Sequence, residues 1–244
     1  MKTIKSAVVV IALFLLTGFN VFAQDGNSIL TKMDDVMYSP KDMSGKTKIA
    51  LIDKNGKQKI REANIIQKGN DKRIFRFTAP SSQAGISVLS LPNDVMYLYM
   101  PAFGKERRIS SSVKNQNFAG TDFTYDDMES KPYSEKYTPK LIKTEDDIYV
   151  LELKPKSPKS SYSKLIVNIH KINYYPTTMD YYDKGGKKIK EGKYTFAKIG
   201  KYWNAQEMNM KNLKKKHSTI MTMSDVVYDQ GLSDEEFSVR KLKQ

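Results

Sequence analysis

Apolar positions follow a helical spacing in one early part of the chain, residues 27–38. Ile29, Met33, Val36 and Met37 fall on one side of a helix drawn over this range, and charged residues occupy other faces. A stripe of this kind is typical of a helix that buries one face. We therefore predict a helix over residues 27–38.

Beyond residue 47 the pattern changes to short apolar runs separated by turn residues. Asn55-Gly56 and the Asp-Lys-Gly-Gly sequence at 183–186 are strong hairpin signals. Runs typical of strands occupy residues 47–52, 60–67, 73–78, 86–91, 95–100, 148–153, 162–170, 177–182, 190–199, 203–210 and 218–227, with another around Leu141. About ten strands at short spacing, without a fixed repeat or a linker, predict one mainly β domain with an antiparallel sheet or barrel.

Residues 101–137 interrupt this regular texture. The segment is rich in Ser, Gly, Asn and Asp, and it holds one plausible helical turn at 125–128. A long irregular segment inside a compact domain is often functional. We expect this segment to serve binding rather than to act as a simple connection.

The first 23 residues have the pattern of a secretory signal peptide. Lys2 and Lys5 precede the apolar run 7–16, and Val21 and Ala23 supply small residues before a cleavage point. The run is short for a membrane span. We predict cleavage after Ala23, which leaves residues 24–244 as a single β domain in the periplasm of a Gram-negative bacterium.

Cysteine content and charge narrow the chemistry further. The chain has no cysteine, which excludes disulfides, thiolate metal sites and a cysteine-linked lipid anchor. Its formal charge is +14, and removal of Lys2 and Lys5 leaves +12. Such an excess of lysine either solvates the surface or favours contact with an anionic membrane surface. Export and the lack of an aromatic and arginine motif argue against nucleic acid as a partner.

Candidate catalytic residues are scarce. His170 and His217 lie in separate predicted strands without a paired metal-ligand spacing, and there is no G-x-S-x-G, Walker or G-x-G-x-x-G motif. The acidic pairs are adjacent in sequence, so neither pair member can reach across one glycosidic bond from the other. We predict a protein that is not an enzyme and needs no cofactor or metal, and a hydrolase is the weakest hypothesis.

Methionine and other apolar residues on strand faces suggest a different role. Methionine is flexible and polarizable, so it suits surfaces that accept apolar ligands of variable shape. Simple filling of a core is the alternative, because a sheet must bury at least one face. The candidate apolar binding residues are Phe75, Phe77, Leu89, Met96, Leu98, Met100, Leu151, Leu153, Met208, Met210, Met221 and Met223.

Two sequence motifs carry a family resemblance. Residues 97–112 read YLYMPAFGKERRISSS, and residues 118–127 read FAGTDFTYDD. These motifs resemble those of the outer-membrane lipoprotein-sorting proteins, relatives of the periplasmic lipoprotein carrier. In that family a strand ends in a Tyr-Pro step, an Arg-Arg-Ile strand follows, and then a Phe-x-Gly-Ser/Thr-Asp-Phe motif. The resemblance extends over about residues 75–242.

The resemblance implies a fold and a function. It implies a curved antiparallel sheet that forms an unclosed half-barrel, with short helices covering the hollow face. It also implies that lipid, or the acyl chains of a lipoprotein, binds without covalent chemistry, in exchange with envelope donor and acceptor proteins during outer-membrane biogenesis. Similar folds serve as envelope-stress sensors or as adaptors of lipid exporters, so binding of a protein partner is the alternative function.

The irregular segment contains residues suited to a lid with a charged latch. Arg107 and Arg108 precede its Ser-rich part, and arginine can bind a carboxylate such as Asp122 through two parallel hydrogen bonds. Phe118 and Phe123 flank a Gly-Thr turn that can press both rings onto the sheet. The alternative is a rigid corner in which Asp122 caps backbone amides and the two rings complete the core.

Overall fold

The computed structural model describes residues 25–243, so the predicted signal peptide at 1–23 lies outside the described residues. Thirteen strands form one antiparallel sheet. They are β1 (Asp42–Ile52), β2 (Gln58–Lys68), β3 (Lys72–Ala79), β4 (Ser87–Leu91), β5 (Val95–Met100), β6 (Lys105–Arg108), β7 (Tyr137–Thr144), β8 (Ile148–Pro155), β9 (Lys164–His170), β10 (Pro176–Tyr182), β11 (Lys188–Ile199), β12 (Tyr202–Asn212) and β13 (His217–Tyr228).

The sheet is a meander interrupted once. Its order is β6-β5-β4-β3-β2-β1-β13-β12-β11-β10-β9-β8-β7, so the pairing of β1 with β13 joins the beginning and the end of the chain. Strands β6 and β7 occupy opposite edges and leave the barrel unclosed. The prediction of a mainly β half-barrel is thus confirmed. The pattern of apolar positions did not mark the short strand β6, because Lys-Glu-Arg-Arg has no apolar alternation, whereas the family resemblance implied an Arg-Arg-Ile strand there.

Within residues 25–243, three short helices accompany the sheet: α1 (Gly26–Met37), α2 (Ser111–Lys114) and α3 (Tyr133–Lys136). Asp25 caps α1 by accepting a hydrogen bond from the backbone N–H of Ser28 at 2.7 Å. Ile29, Leu30 and Met33 are fully buried, and burial of each such side chain contributes roughly 1.5–3 kcal/mol. The helix predicted from periodicity is confirmed, with its start and its end each one residue earlier than expected.

The two faces of the sheet have separate hydrophobic clusters. The inner face carries the large cluster, which includes Phe75 of β3 and the apolar side of α1. The outer face carries a smaller cluster in which Ile74 packs with Phe237 and Leu242, from two 3₁₀ turns near the end of the chain. Because side chains alternate along a strand, neighbouring residues of β3 serve opposite faces.

Residues 109–136, which we call the covering segment, lie over the inner face. The segment contains α2, α3 and a 3₁₀ turn at Phe118–Gly120. At the predicted helical turn, the N–H of Met128 donates to the carbonyl oxygens of Thr124 and Tyr125, both at 3.2 Å. No helix within residues 25–243 is long and apolar enough to cross a membrane.

Candidate functional site

A cavity of about 190 Å³ lies between the inner face of the sheet and the covering segment. An apolar cavity of about 150 Å³ is sufficient for a benzene-sized ligand. The partly exposed residues of its lining, such as Pro40, Trp203 and Tyr228, belong to the ends of β1, β12 and β13, so its mouth lies at that end of the sheet. The arrangement is a chamber with both apolar and charged lining residues that opens at this end.

Five of the predicted site residues line this cavity: Phe75, Phe123, Met208, Met221 and Met223. Strand register explains why the methionines meet. Met208 of β12 is directly opposite Met221 of β13, and Met223 is opposite Thr47 of β1. Directly paired residues of neighbouring strands present their side chains on the same face of the sheet. The methionines therefore form a continuous apolar wall.

Other predicted residues support the wall without lining the cavity. Those that are buried in the inner cluster are Phe77, Met96, Leu151, Leu153 and Met210. Leu98 packs against this cluster while partly exposed, and Met100 is half-buried outside both clusters.

The prediction that Leu89 belongs to the apolar binding site is wrong. It lies in the outer cluster with Ile74 and Phe237, whereas its neighbour Val88 belongs to the inner cluster. Strand β4 is apolar on both faces, and the outer face is covered by the last residues of the chain. Leu89 is therefore not a cavity residue.

Tyrosines form much of the remaining lining, and the sequence reading did not select them. Tyr181 of β10 and Tyr194 of β11 both line the cavity, and their hydroxyl oxygens lie 2.9 Å apart. Burial raises the pKa of both phenols, so they stay neutral at physiological pH. Aromatic residues in consecutive strands were the available signal. Because each hydroxyl satisfies the other, the wall remains compatible with apolar cargo.

Charged side chains of the covering segment lie at or beside the cavity, and Asp126, Glu129 and Lys136 are part of its lining. Lys136 lies 3.0 Å from a carboxylate oxygen of Asp126, and Lys114 lies 2.6 Å from Glu129. Burial alone would lower the pKa of Lys136, but the nearby carboxylates of Asp126 and Glu129 outweigh it and raise that pKa. Burial also raises the pKa of Asp126, against the attraction of Lys136. Removal of either partner of such a pair would leave a buried charge without compensation.

Two contacts join the covering segment to the sheet near the cavity. Arg73 of β3 donates from Nε to the Gln67 side-chain oxygen at 2.9 Å and from Nη1 to the backbone oxygen of Met128 at 3.4 Å. Lys190 of β11 lies 3.4 Å from a carboxylate oxygen of Asp127. These are two of several polar contacts that hold the covering segment on the sheet.

The residues that were predicted to form a lid and latch lie in separate parts of the structure. Phe118 is fully buried, with its ring centre 5.3 Å from that of Phe75 and 5.5 Å from that of Phe77. Phe123 is also buried and reaches the cavity. These two rings therefore do press onto the inner face of the sheet.

The pairing of Arg107 or Arg108 with Asp122 is wrong for this structure. Asp122 is buried, and its carboxylate contacts His217 Nδ1 at 2.8 Å and Thr219 Oγ1 at 2.9 Å. Both arginines lie exposed on β6. Strand β13 is six strands away from β6 in the sheet, about 29 Å at the usual spacing. That separation is too great for a direct arginine–carboxylate contact.

Histidine and carboxylate side chains are the possible metal ligands of this chain, which has no cysteine. Within residues 25–243, no three histidine, aspartate or glutamate side chains lie close enough together to hold a metal ion. His217 is paired with Asp122, Asp126 at the cavity is paired with Lys136, and Asp42 accepts hydrogen bonds from backbone N–H groups of residues 230–232. The cavity offers apolar contact and a few paired charges.

Three solved structures share this fold. A domain from Vibrio parahaemolyticus, named for outer membrane lipoprotein sorting, has a TM-score of 0.84 and 28% identity, covering 90% of this chain and 98% of its own. A DUF1329 family protein from Desulfovibrio piger has a TM-score of 0.83 and 26% identity, covering 89% and 97%. A LolA superfamily protein from Nitrosomonas europaea has a TM-score of 0.75 and 22% identity, covering 89% and 99%, which is a likeness of fold.

Residues 69–244 match a family model that carries the description "Uncharacterized protein". The chain belongs to this family. No curated protein matches the sequence. Together with the Vibrio and Desulfovibrio domains, the family match confirms the resemblance to outer-membrane lipoprotein-sorting proteins that the motifs at 97–112 and 118–127 suggested.

Proposed function

We propose that this protein is a non-catalytic carrier of lipid, or of the acyl chains of lipoproteins, in the periplasm after cleavage of residues 1–23. The observation that supports the proposal is the apolar cavity beneath the covering segment, with its wall of methionine and tyrosine. Methionine adapts its shape to different chains. The name of the Vibrio domain, which refers to lipoprotein sorting, points to the same class of cargo.

Binding energy and cavity size fit a carrier that opens. Each methylene transferred from water to an apolar site gains about 0.8 kcal/mol, so a long acyl chain supplies enough for reversible binding after ordering costs. Pockets for drug-sized ligands usually measure about 300–1,000 Å³. The cavity measures about 190 Å³, so a long chain requires displacement of the covering segment. Release then requires a receiving site of higher affinity, without nucleotide or metal.

A fluorescent fatty acyl probe tests the proposal. The test variant is Met208→Trp, because Met208 lines the cavity while partly exposed, so a larger ring fills space that cargo would use. Met100→Trp is the matched control, since Met100 is also a half-buried strand methionine but lies outside the cavity. We expect saturable binding that Met208→Trp weakens at least tenfold and Met100→Trp leaves unchanged.

Two results would argue against a carrier. The first is no probe binding by the purified parent protein, together with no copurified lipid in native mass spectrometry. The second is equal binding by both tryptophan variants and the parent. A stable complex with an envelope protein that does not depend on lipid would instead favour the adaptor function.

A further inference from the structure

One end of the sheet carries most of the net positive charge of the protein. At this end lie four turns, taken here with the strand residues that adjoin them: residues 53–59 at the β1–β2 turn, 156–163 at the β8–β9 turn, 183–188 at the β10–β11 turn, and 213–217 at the β12–β13 turn. Together they contain eleven lysines and two aspartates. Their formal excess of nine charges accounts for most of the +12 expected after removal of residues 1–23. We call these four turns the lysine-rich end.

Sheet topology makes these turns neighbours. In the order β2-β1-β13-β12-β11-β10-β9-β8, the four turns join alternate pairs of strands, and all four lie at the same end. Seven strand spacings separate β2 from β8, about 33 Å along the sheet. The lysines therefore form one continuous row, although the turns are spread over more than 160 residues of sequence.

Most of these lysines are available to a partner. Ten of the eleven are exposed, and Lys188 is partly exposed. Within residues 25–243, only Lys188 and Lys214 have a carboxylate within 4.0 Å, on Asp180 and Glu191 and on Asp183 respectively. Unpaired ammonium groups at this density repel one another, so an anionic partner gains free energy by approaching them.

The opposite end of the sheet provides an internal comparison. Its turns at 68–72, 145–147, 171–175 and 200–201 contain four lysines and four acidic residues. Lys68 and Lys72 are also paired with Asp234. The charge of the protein is therefore polarised along the strands, and the lysine-rich end is a local feature.

The geometry points to an anionic lipid bilayer as the partner: we propose that the lysine-rich end is a docking surface for the head groups of such a membrane. The row is long and consists of lysines without arginine, which suits diffuse attraction to a charged surface better than fixed bidentate recognition. Its single aromatic residue, Tyr162, is buried, so no ring is available for stacking on nucleic-acid bases.

Docking at this end has a consequence for the cavity. The mouth of the cavity lies at the opposite end of the strands, near Pro40, Trp203 and Tyr228. A protein held by its lysine-rich end therefore keeps that mouth directed away from the head groups and open to a soluble or membrane-bound exchange partner. Electrostatic docking and cargo binding thus use separate parts of the molecule.

Vesicle binding by the full mature chain tests the proposal. The vesicles are phosphatidylcholine with one third phosphatidylglycerol, and pure phosphatidylcholine is the neutral control. The test variant combines Lys57→Gln, Lys215→Gln and Lys216→Gln, three exposed lysines without a carboxylate partner. One lysine near an anionic surface contributes about fivefold to binding, so we expect the triple variant to bind roughly 100-fold more weakly. Binding should also weaken with salt.

The matched control variant removes the same number of charges at the other end, with Lys143→Gln, Lys198→Gln and Lys201→Gln, all exposed. We expect a loss of less than about fivefold. Equal losses of vesicle binding in the two variants would mean that binding depends only on net charge, and they would overturn the proposal. So would binding that is equal on neutral vesicles, or binding to DNA or an acidic protein with none to anionic vesicles. The acyl probe should bind the Lys57 triple variant normally, which separates this result from failure of the carrier function.

Discussion

Replacement of Phe118 by alanine examines whether the covering segment must move for cargo to bind. Phe118 is fully buried, and its ring contacts those of Phe75, Phe77 and Tyr125 at centre distances of 5.3–5.5 Å. The ring occupies the inner face of the sheet, where an acyl chain would extend from the cavity. Phe118 thus stabilises the closed position of the segment.

The expected size of the effect follows from burial. Phe→Ala in a packed core costs about 3–5 kcal/mol. If the segment must leave the sheet before a long chain binds, this cost applies to the closed state alone, and the open state becomes more populated. Since about 1.4 kcal/mol corresponds to tenfold, this cost would raise affinity by about 100- to 4,000-fold at most, and by less once the open state predominates.

The assay is titration with a long-chain fluorescent acyl probe, combined with hydrogen exchange over residues 110–130 with and without lipid. Phe237→Ala is the matched control, because Phe237 is 3% exposed but lies in the outer cluster. Both variants should have a lower free energy of unfolding, and only Phe118→Ala should bind the probe more tightly.

A different outcome would refute this reasoning. If Phe118→Ala lowers the free energy of unfolding while probe affinity and hydrogen exchange match those of the parent, the segment is a fixed part of the architecture. The cavity would then bind only what fits within its closed volume.

Two further predictions concern stability. Asp122→Ala should lower the free energy of unfolding by about 1–3 kcal/mol, because it leaves the Thr219 and His217 side chains without their carboxylate partner. Arg108→Ala, on an exposed strand, should change it by less than about 0.5 kcal/mol. Urea denaturation compares the two variants, and equal losses would contradict the pairing of Asp122 with His217 and Thr219. Burial raises the pKa of Tyr162 and Tyr181 above the ordinary 10.0. Their contribution to the free energy of unfolding is therefore complete below pH 10, and above pH 10 it falls by up to about 1.4 kcal/mol per pH unit for each phenol. Urea denaturation from pH 8 to 11 should show this decline, and constant stability would disprove it.

Much of the fold could be read from local sequence patterns. The helix over Gly26–Met37 and twelve of the thirteen strands were marked by apolar spacing or turn residues, because these signals act between residues close in sequence. The edge strand β6 carried no such signal. The methionines at 208, 221 and 223 were identified as cavity residues for the same reason, since they share faces of strands that the pattern defined.

The tertiary structure decided what depends on contacts between distant residues. Strand β4 is apolar on both faces, so only the position of the last residues of the chain, beside Phe237, placed Leu89 on the outer face. Asp122 and His217 are 95 residues apart, and sequence could not pair them in place of the nearer Arg108. The lysine-rich end likewise exists only through sheet order, which brings four separate turns to one side. Hydrophobic spacing fixes the form of an element, whereas strand order and register determine which elements become neighbours.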